Sequence, residues 1–235
     1  MSSPADEAAS GHGHAEADTF RLPQPQVLME RPDGVRILRV RNNHEALPYR
    51  AAFAGAYQDI FSEPPYNERF FPSEAQSILR QFLDVPESIT LLAVRGNTQV
   101  VGFGIGVPAL AKADVTRALH GLLPLQQSFY LAELGVLRSY RRTGLGHDLI
   151  QARLALIDRA RFSNVMLRTS AVRNSSYDMY LSLGFEDMGV YMEVPARRVD
   201  GAVSTDRRLF LCKVLPAPGE GEEAGDPKTW HEGER

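Results

Sequence analysis

The stretch ELGVLRSYRRTGLGHDL, residues 133–149, decides the fold. It reads as the end of a strand, a short basic loop, and a helix that begins within Gly144–Gly146. Glycine removes the side chain from a tight turn, so successive backbone N–H groups can converge on an anion. The start of a helix adds unpaired N–H donors and the positive end of its dipole. Arg138, Arg141 and Arg142 add positive charge at the same place. The stretch therefore predicts a pyrophosphate cradle.

The spacing of this loop excludes two other phosphate-binding motifs. No Gly-Lys-Ser/Thr follows, so the loop is not a Walker A motif, and it lacks the G-x-G-x-x-G spacing of the dinucleotide fingerprint. A Gly-x-Gly pair at the start of a helix also occurs in many simple turns. Taken alone, the Gly-x-Gly pattern is therefore compatible with an anion-binding loop and with a simple turn.

Strand and helix signals alternate on both sides of the loop. Period-two patterns and buried apolar runs predict strands at residues 35–42, 88–96, 99–109, 128–137, 164–170, 186–194 and 205–214. Apolar residues at helical spacing predict helices at residues 44–61, 73–85, 142–162 and 174–184. We expect an α/β (α+β) fold, with a mixed, mostly antiparallel sheet of about six to seven strands flanked by helices. Arg153 interrupts the apolar face of the helix at 142–162, and the pattern offers no reason for it.

Composition limits the class of protein. The chain has 235 residues and is 43% hydrophobic, enough for one domain with a core. Its net charge of −3 carries no basic excess that would indicate nucleic acid or an anionic membrane. No stretch approaches the roughly 20 apolar residues that span a bilayer, and the N-terminus lacks the apolar core of a secretory signal. We expect a cytoplasmic protein without a nucleic-acid or membrane partner.

Both ends of the chain are polar. Residues 1–30 and 216–235 are poor in core-forming side chains and predict flexible tails around a single domain at 31–215. His12 and His14 lie in the first tail without the further ligands of a closed metal site, so no metal site is predicted.

Two motifs resemble the GNAT N-acetyltransferases. V-x-x-x-x-R-R-x-G-x-G resembles the coenzyme A motif of that family, R/Q-x-x-G-x-G/A, with Arg141, Gly144 and Gly146 at its positions. Residues 174–185, N-x-x-Y-x-M-Y-x-x-L-G-F, resemble a helix motif that the family places one long helix and one strand later. The resemblance implies a single GNAT-like domain and acetyl-CoA as cosubstrate.

Three positions depart from the family pattern. Arg138 stands where Pro is usual, Arg142 where Gly is usual, and Tyr177 where a small residue is usual. Arg142 fits the motif on the condition that its backbone keeps a negative φ, and we expect Tyr177 to alter how the adenosine or pantetheine side of the cofactor packs.

The resemblance also implies which residues bind the cofactor. Backbone amides of Leu134 and Val136 would hold the pantetheine in a gap at a strand bulge, which Gly135 is predicted to mark. Asn174 would cap its helix and form a hydrogen bond with the cofactor, although capping alone would also explain its presence. The pyrophosphate would lie on the loop formed by Arg141, Arg142, Thr143, Gly144, Leu145, Gly146 and His147.

Two residues are candidates for the chemistry. Glu133 is the candidate general base for the amine, and its alternative role is a carboxylate that only anchors a cationic substrate. Tyr180 matches the family tyrosine that protonates the departing thiolate, and its alternative role is that of a core aromatic. Glu63, Tyr66, Glu68 and Phe70, in the loop at 62–73, are candidates for contact with a cationic, partly apolar amine.

The function implied is that of an N-acetyltransferase acting on a primary amine of a small molecule or peptide. Two alternatives stay open: a noncatalytic module that binds coenzyme A or a partner, and a transferase that uses a longer acyl group. A homodimer is compatible with all three of these functions.

Overall fold

One mixed sheet with helices on both faces forms the fold. The computed structural model describes residues 23–218. The strands are β1 (Gln26–Glu30), β2 (Val35–Val40), β3 (Ile89–Arg95), β4 (Gln99–Pro108), β5 (Ser128–Val136), β6 (Asn164–Ser170), β7 (Glu186–Arg197) and β8 (Val203–Val214). The helices are α1 (Asn43–Ala46), α2 (Arg50–Ser62), α3 (Pro72–Leu83), α4 (Ala113–Leu119), α5 (Leu145–Leu156) and α6 (Ser175–Ser182). The strand order β1-β2-β3-β4-β5-β6-β8-β7 confirms the predicted fold class.

The sheet has one strand more than the predicted six to seven. The extra strand, β1, lies inside the segment predicted as a flexible tail up to residue 30, so that boundary is wrong. β1 pairs antiparallel with β2, from Gln26 opposite Arg39 to Glu30 opposite Arg36. Its side chains are mostly exposed, so it carries no apolar alternation by which the sequence would reveal it. The rest of both predicted tails, 1–22 and 219–235, lies outside the described residues.

Each face of the sheet carries its own core. The helices α2, α3 and α4 cover one face, where Phe53 and Tyr57 pack against Phe103 of β4. The helices α5 and α6 cover the other, with Leu149 and Tyr180 among the buried side chains. The strands between them are buried on both sides, which is why their apolar runs are nearly continuous.

An extra residue in β5 interrupts the sheet near its centre. The antiparallel ladder between β4 and β5 pairs Ile105 with Glu133, but it pairs Gly106 with Leu131. Ala132 is therefore the additional residue of a bulge. Side chains alternate along a strand, so the extra residue changes which face of the sheet the following residues occupy.

The same point is where β5 and β6 separate. The two strands are parallel neighbours, and their pairing ends at Leu131 opposite Leu167. Both strands continue beyond it, β5 to Val136 and β6 to Ser170. The sheet is thus open between two adjacent central strands.

The predicted bulge at Gly135 is wrong, because this residue pairs in register with Phe103. Its lack of a side chain has another cause: a Cβ at Gly135 would lie 2.5 Å from Cζ of Phe103. The ring of Phe103 stacks on Tyr57 at 5.5 Å, so it has little room to move. Gly135 is a packing glycine beneath an aromatic cluster.

We predict that Gly135→Ala lowers the free energy of unfolding by about 1–3 kcal/mol, the usual cost of overpacking a core. The matched control is Gly55→Ala, in the exposed middle of α2, where a new Cβ meets nothing within 4 Å. It should raise stability by about 0.5–1 kcal/mol, because alanine is the better helix former. Urea unfolding measures both, and equal effects of the two variants would contradict the packing role.

Candidate active site

A cavity of about 210 Å³ lies where β5 and β6 separate. Its walls come from α2 and the loop after it, from β5 and β6, from α6, and from the β7–β8 hairpin. The side chains that carry polar or aromatic groups into the wall are Tyr57, Phe61, Tyr66, Glu68, Phe70, Glu133, Arg168, Thr169, Ser176, Tyr180 and Arg208. Both predicted catalytic residues, Glu133 and Tyr180, are among them.

Glu133 directly follows the bulge residue and lines the cavity. Burial raises the pKa of Glu133 from its ordinary value of 4.5 to about 7, because the charged carboxylate loses water. The positive charges of Arg168 and Lys112 oppose that shift, and the carboxylate of Glu68 adds to it. Tyr57, whose pKa is itself raised by burial and by the charge of Glu133, lies beside it. A carboxyl with this pKa exchanges a proton near neutral pH.

Tyr180 closes the cavity from α6. Its side chain is 7% exposed and packs edge-on against Phe185, with 5.7 Å between ring centroids. Burial raises the pKa of the Tyr180 phenol, and the nearby positive charge of Arg153 opposes the rise. Tyr180 thus belongs to the core and to the cavity wall at once.

The glycine loop presents unpaired donors. Within the described residues, the backbone N–H groups of residues 144–147 have no hydrogen-bond acceptor, and the first bond of this turn runs from Asp148 N–H to the Gly144 carbonyl. Gly144 has φ of +88°, and a Cβ added at Gly146 would meet nothing closer than 3.7 Å. Neither glycine is required by packing, so the open concave backbone fits an anion.

The β1–β2 turn braces this loop. Arg31 donates to the Thr143 carbonyl at 2.7 Å and pairs with the carboxylate of Asp148. The Thr143 hydroxyl donates to the Tyr140 carbonyl at 2.8 Å. The two Arg31 contacts hold the loop from outside and the Thr143 contact holds it from within, and none of the three uses a backbone N–H of residues 144–147.

Arg142 does not meet the condition of a negative φ, because its φ is +64°. Two residues of this turn, Arg142 and Gly144, have a positive φ, and turns of this kind allow successive N–H groups to converge on an anion. A non-glycine residue in this region is strained, which explains why glycine is usual at this position of the motif.

The remaining loop residues have different surroundings. Leu145 is fully buried in the core, so only its backbone faces the loop, whereas His147 is exposed. Arg141 donates its Nε to the Val136 carbonyl at 3.0 Å, and its Nη2 lies 2.7 Å from Oε2 of Glu63. Glu63, predicted to contact the substrate, is therefore paired with the loop and does not line the cavity.

The residues predicted to bind pantetheine lie at the opening. Leu134 and Val136 follow the bulge, on the part of β5 that has lost its pairing with β6. Asn174 caps α6, with its Oδ1 accepting from Ser176 N–H at 3.0 Å and Tyr177 N–H at 3.1 Å. Capping is thus present, while the bond to a cofactor stays a prediction.

The predicted substrate residues Tyr66, Glu68 and Phe70 all line the cavity. Glu68 is not a free anionic anchor, since its Oε1 accepts from Nη2 of Arg208 at 2.7 Å. The Arg208 guanidinium also lies over the Tyr66 ring, 4.6 Å from its centroid.

Two arginines were not among the predicted site residues: Arg168, which lines the cavity, and Arg153, which lies behind it on the carbonyl of Glu133. Arg168 lines the cavity, and its Nη1 donates to Asp114 at 2.7 Å. The signal available in the sequence was a charged residue placed directly after the apolar run 165–167 of a central strand, since charged side chains are seldom buried without a partner. Arg153 is the charge already noted within the apolar face of its helix.

Two kinds of feature are absent from residues 23–218. No helix in this range has the length and apolar character needed to cross a membrane. No three His, Cys, Asp or Glu side chains in the same range are arranged to hold a metal ion.

The opened sheet and the helix start with unpaired N–H groups both lie within a part of the chain that matches a known family. Residues 53–185, more than half of the chain, match the family model described as "Acetyltransferase (GNAT) family". The chain belongs to the GNAT acetyltransferase family, which confirms the resemblance found in its two motifs. No curated protein matches the chain.

Solved structures share the fold at low sequence identity. A ribosomal-protein-alanine N-acetyltransferase from Brucella melitensis is 19% identical with a TM-score of 0.54, covering 76% of this chain and 99% of its own. The ribosomal-protein-S18-alanine N-acetyltransferase of Escherichia coli is 14% identical with a TM-score of 0.51, covering 80% and 97%. NAA60 of Arabidopsis thaliana, in complex with a bisubstrate analogue, is 14% identical with a TM-score of 0.51, covering 77% and 99%. These values establish the fold alone.

We predict that Arg142→Gly raises the free energy of unfolding by about 1 kcal/mol, because glycine accepts the left-handed conformation without strain. Arg138→Gly is the matched control, since the same change in the same loop removes no positive φ. It should be neutral or destabilising, because glycine gains entropy in the unfolded chain. Denaturant unfolding measures both, and a loss of stability in Arg142→Gly would contradict the strain.

Proposed function

We propose that the protein transfers an acetyl group from acetyl-CoA to a primary amine of a small molecule or peptide. The observation that carries the proposal is that Glu133, with a pKa of about 7, and Tyr180 line one cavity. That cavity lies at the opening between two strands, close to a helix start with unpaired N–H groups. An acid, a base and an anion site are the parts that acyl transfer to an amine needs.

The residues present fit coenzyme A. The N–H groups at 144–147, within the loop 141–147, would hold the pyrophosphate, because they are free and the two glycines leave room. Leu134 and Val136 would hold the pantetheine with backbone groups that have no strand partner on that side. When bound, acetyl-CoA supplies the acetyl group as a thioester.

Glu133 would accept a proton from the incoming ammonium. An alkyl amine has a pKa of about 10.4 and must lose a proton before its nitrogen can attack. A base with a pKa near the working pH is the best compromise between being deprotonated and binding the proton. Tyr180 would hold its phenolic proton at the cavity wall and release it to the leaving sulfur.

The acceptor is limited by the size and chemistry of the cavity. The volume of about 210 Å³ admits a small amine or the end of a longer chain. Its aromatic wall, with Tyr57, Phe61 and Phe70, suits an apolar stem next to the nitrogen. Because Arg208 already neutralises Glu68, Glu133 is the carboxyl left for the amine.

The proposal is tested by thiol release from acetyl-CoA against a panel of amines. The panel should include amino acids, polyamines, aminoglycosides and peptides, one of them beginning with alanine as the names of the Brucella and E. coli structures suggest. Saturable coenzyme A binding without turnover on any amine would support a noncatalytic module instead. Faster turnover with a longer acyl-CoA would mean that the enzyme transfers this longer acyl group in place of acetyl.

We predict that Tyr180→Phe lowers kcat about 10²-fold on an accepted amine, the lower end for general acid catalysis, since a thiolate is a tolerable leaving group. Tyr191→Phe, which removes an exposed phenol outside the cavity, is the control and should leave kcat unchanged. Coenzyme A affinity should be unchanged in both. If Tyr180→Phe turned over at the wild-type rate while chemistry was shown to be rate-limiting, Tyr180 would be a core aromatic without a catalytic role.

Glu133→Gln separates the two roles of this carboxyl. A general base acts when deprotonated, so kcat/KM of the wild type should rise with pH through about 7, and the variant should lose this limb together with kcat. If Glu133 only anchors a cation, the variant should raise KM and keep kcat.

The loop assignment is tested by Gly144→Asp, which we predict to abolish coenzyme A binding measured by calorimetry. An aspartate there places a negative charge at the anion site and strains the backbone. Gly201→Asp is the matched control, because Gly201 has the same φ of +88° and equally open surroundings, in the turn between β7 and β8. It carries the same strain without the anion site, so equal affinities of the two variants would remove the loop from the proposal.

A further inference from the structure

Arg153 is a buried charge that has no carboxylate partner within residues 23–218. Its side chain is 0% exposed, on the face of α5 that packs against the sheet. Nη1 donates to the carbonyl oxygens of Ile105 at 3.1 Å and Glu133 at 3.0 Å, and Nε donates to the carbonyl of Leu149 at 3.1 Å. Taking a guanidinium out of water is costly unless its charge is compensated. Carbonyl bonds alone compensate it only in part.

The two strand carbonyls belong to the bulge. Ile105 and Glu133 form the last regular pair before the β4–β5 ladder shifts. A bulge disrupts ladder hydrogen bonds, and Arg153 supplies a donor where the two strands lose their register. Gly104 makes space for it, because a Cβ there would lie 2.8 Å from Nε of Arg153. A glycine in β4 and an arginine in α5 are thus matched across the core.

One nitrogen of the Arg153 guanidinium makes no hydrogen bond within the described residues. Nη2 of Arg153 is buried and has no hydrogen-bond partner among the described residues. The titratable groups that interact with this charge are Tyr180 on α6 and Glu133 on β5. Tyr180 in turn interacts with Arg153, with Tyr66 from the α2–α3 loop and with Glu133, and Arg153 is the one cation in that described set.

We infer that Arg153 is a positioning residue for acetyl transfer, which braces the bulge that presents Glu133 and stabilises the phenolate left on Tyr180. The inference rests on the proposed function. In that reaction the amine nitrogen bonds to the acetyl carbon and the carbon–sulfur bond breaks. Glu133 first passes one proton of the ammonium to water, and it takes a second proton from the nitrogen as the amide forms. The phenolic proton of Tyr180 goes to the sulfur, and after turnover Glu133 loses its proton to water while Tyr180 regains one. The negative charge that remains on Tyr180 then lies in a buried site, where Arg153 is the cation that lowers the pKa of the phenol among the described residues.

The electrostatic balance gives the sign of the effect. Burial raises the pKa of the Tyr180 phenol, and Arg153 lowers it. Removing the guanidinium therefore makes Tyr180 a weaker acid, while lysine at position 153 keeps the charge. A purely structural brace would change stability without changing the acidity of Tyr180.

The direct test incorporates a ring-fluorinated tyrosine, whose phenol is more acidic, at position 180 and follows its titration by fluorine NMR. Arg153→Met should raise the pKa of that phenol, and Arg153→Lys should leave it close to the wild-type value. Arg161→Met is the control, since it removes an exposed arginine paired with Glu87 at the surface and should change nothing. An unchanged titration in Arg153→Met would overturn the inference, and this readout needs no substrate. If Arg153→Met shows no folded melting transition, Arg153→Gln, which is neutral and keeps an amide donor, takes its place.

The catalytic part is tested by a double-mutant cycle on kcat. Arg153→Met should lower kcat about tenfold in the wild-type background and by clearly less in Tyr180→Phe, because in that background only the loss of the brace at Glu133 remains. Equal losses in both backgrounds would reduce Arg153 to a structural brace. If the wild type turns over no amine at all, the proposed function fails, and the fluorine titration still decides whether Arg153 and Tyr180 are coupled.

Discussion

The rest of the structure depends on one constraint, which is that the central strands β5 and β6 stop pairing before either strand ends. Backbone groups inside a protein almost always have partners, so a sheet that opens at its centre must have a replacement for each lost bond. Beyond Leu131, β5 and β6 no longer pair, and at Ala132 the register with β4 also shifts. Arg153 supplies donors at the shift, and the open edge of β5 is left for a bound molecule.

This opening determines the electrostatics of the site. Burial at the opening raises the pKa of Glu133, while Arg168 and Lys112 keep the shift from going further. The other carboxylates around the cavity already have partners, Glu68 with Arg208 and Asp114 with Arg168. The result is a cavity in which one acid titrates near neutral pH and a phenol lies in the same wall. A site for proton transfer needs both features together.

Local patterns predicted the fold class, the glycine loop and the capping of α6, because each depends on residues close in sequence. The position of the bulge was predicted wrongly, since a bulge depends on the register between two strands and Gly135 is explained by the ring of Phe103. The pairing of Glu63 with Arg141 and the buried hydrogen bonds of Arg153 could likewise not be predicted from the sequence. Both depend on contacts between residues far apart in the chain. The strand β1 was missed because its exposed side chains carry no periodic signal.

The central claim is that Glu133 lies in the cavity formed where β5 and β6 separate, and that the loss of water there raises its pKa until it can act as a base at neutral pH. Carbon-13 NMR of the side-chain carboxyl groups in glutamate-labelled protein measures this directly, with Glu133→Gln identifying the signal. The account predicts that the Glu133 carboxyl titrates with a midpoint of about 7 in the free protein. A midpoint near the ordinary value of 4.5 would mean that water reaches the carboxylate freely, and it would contradict the account.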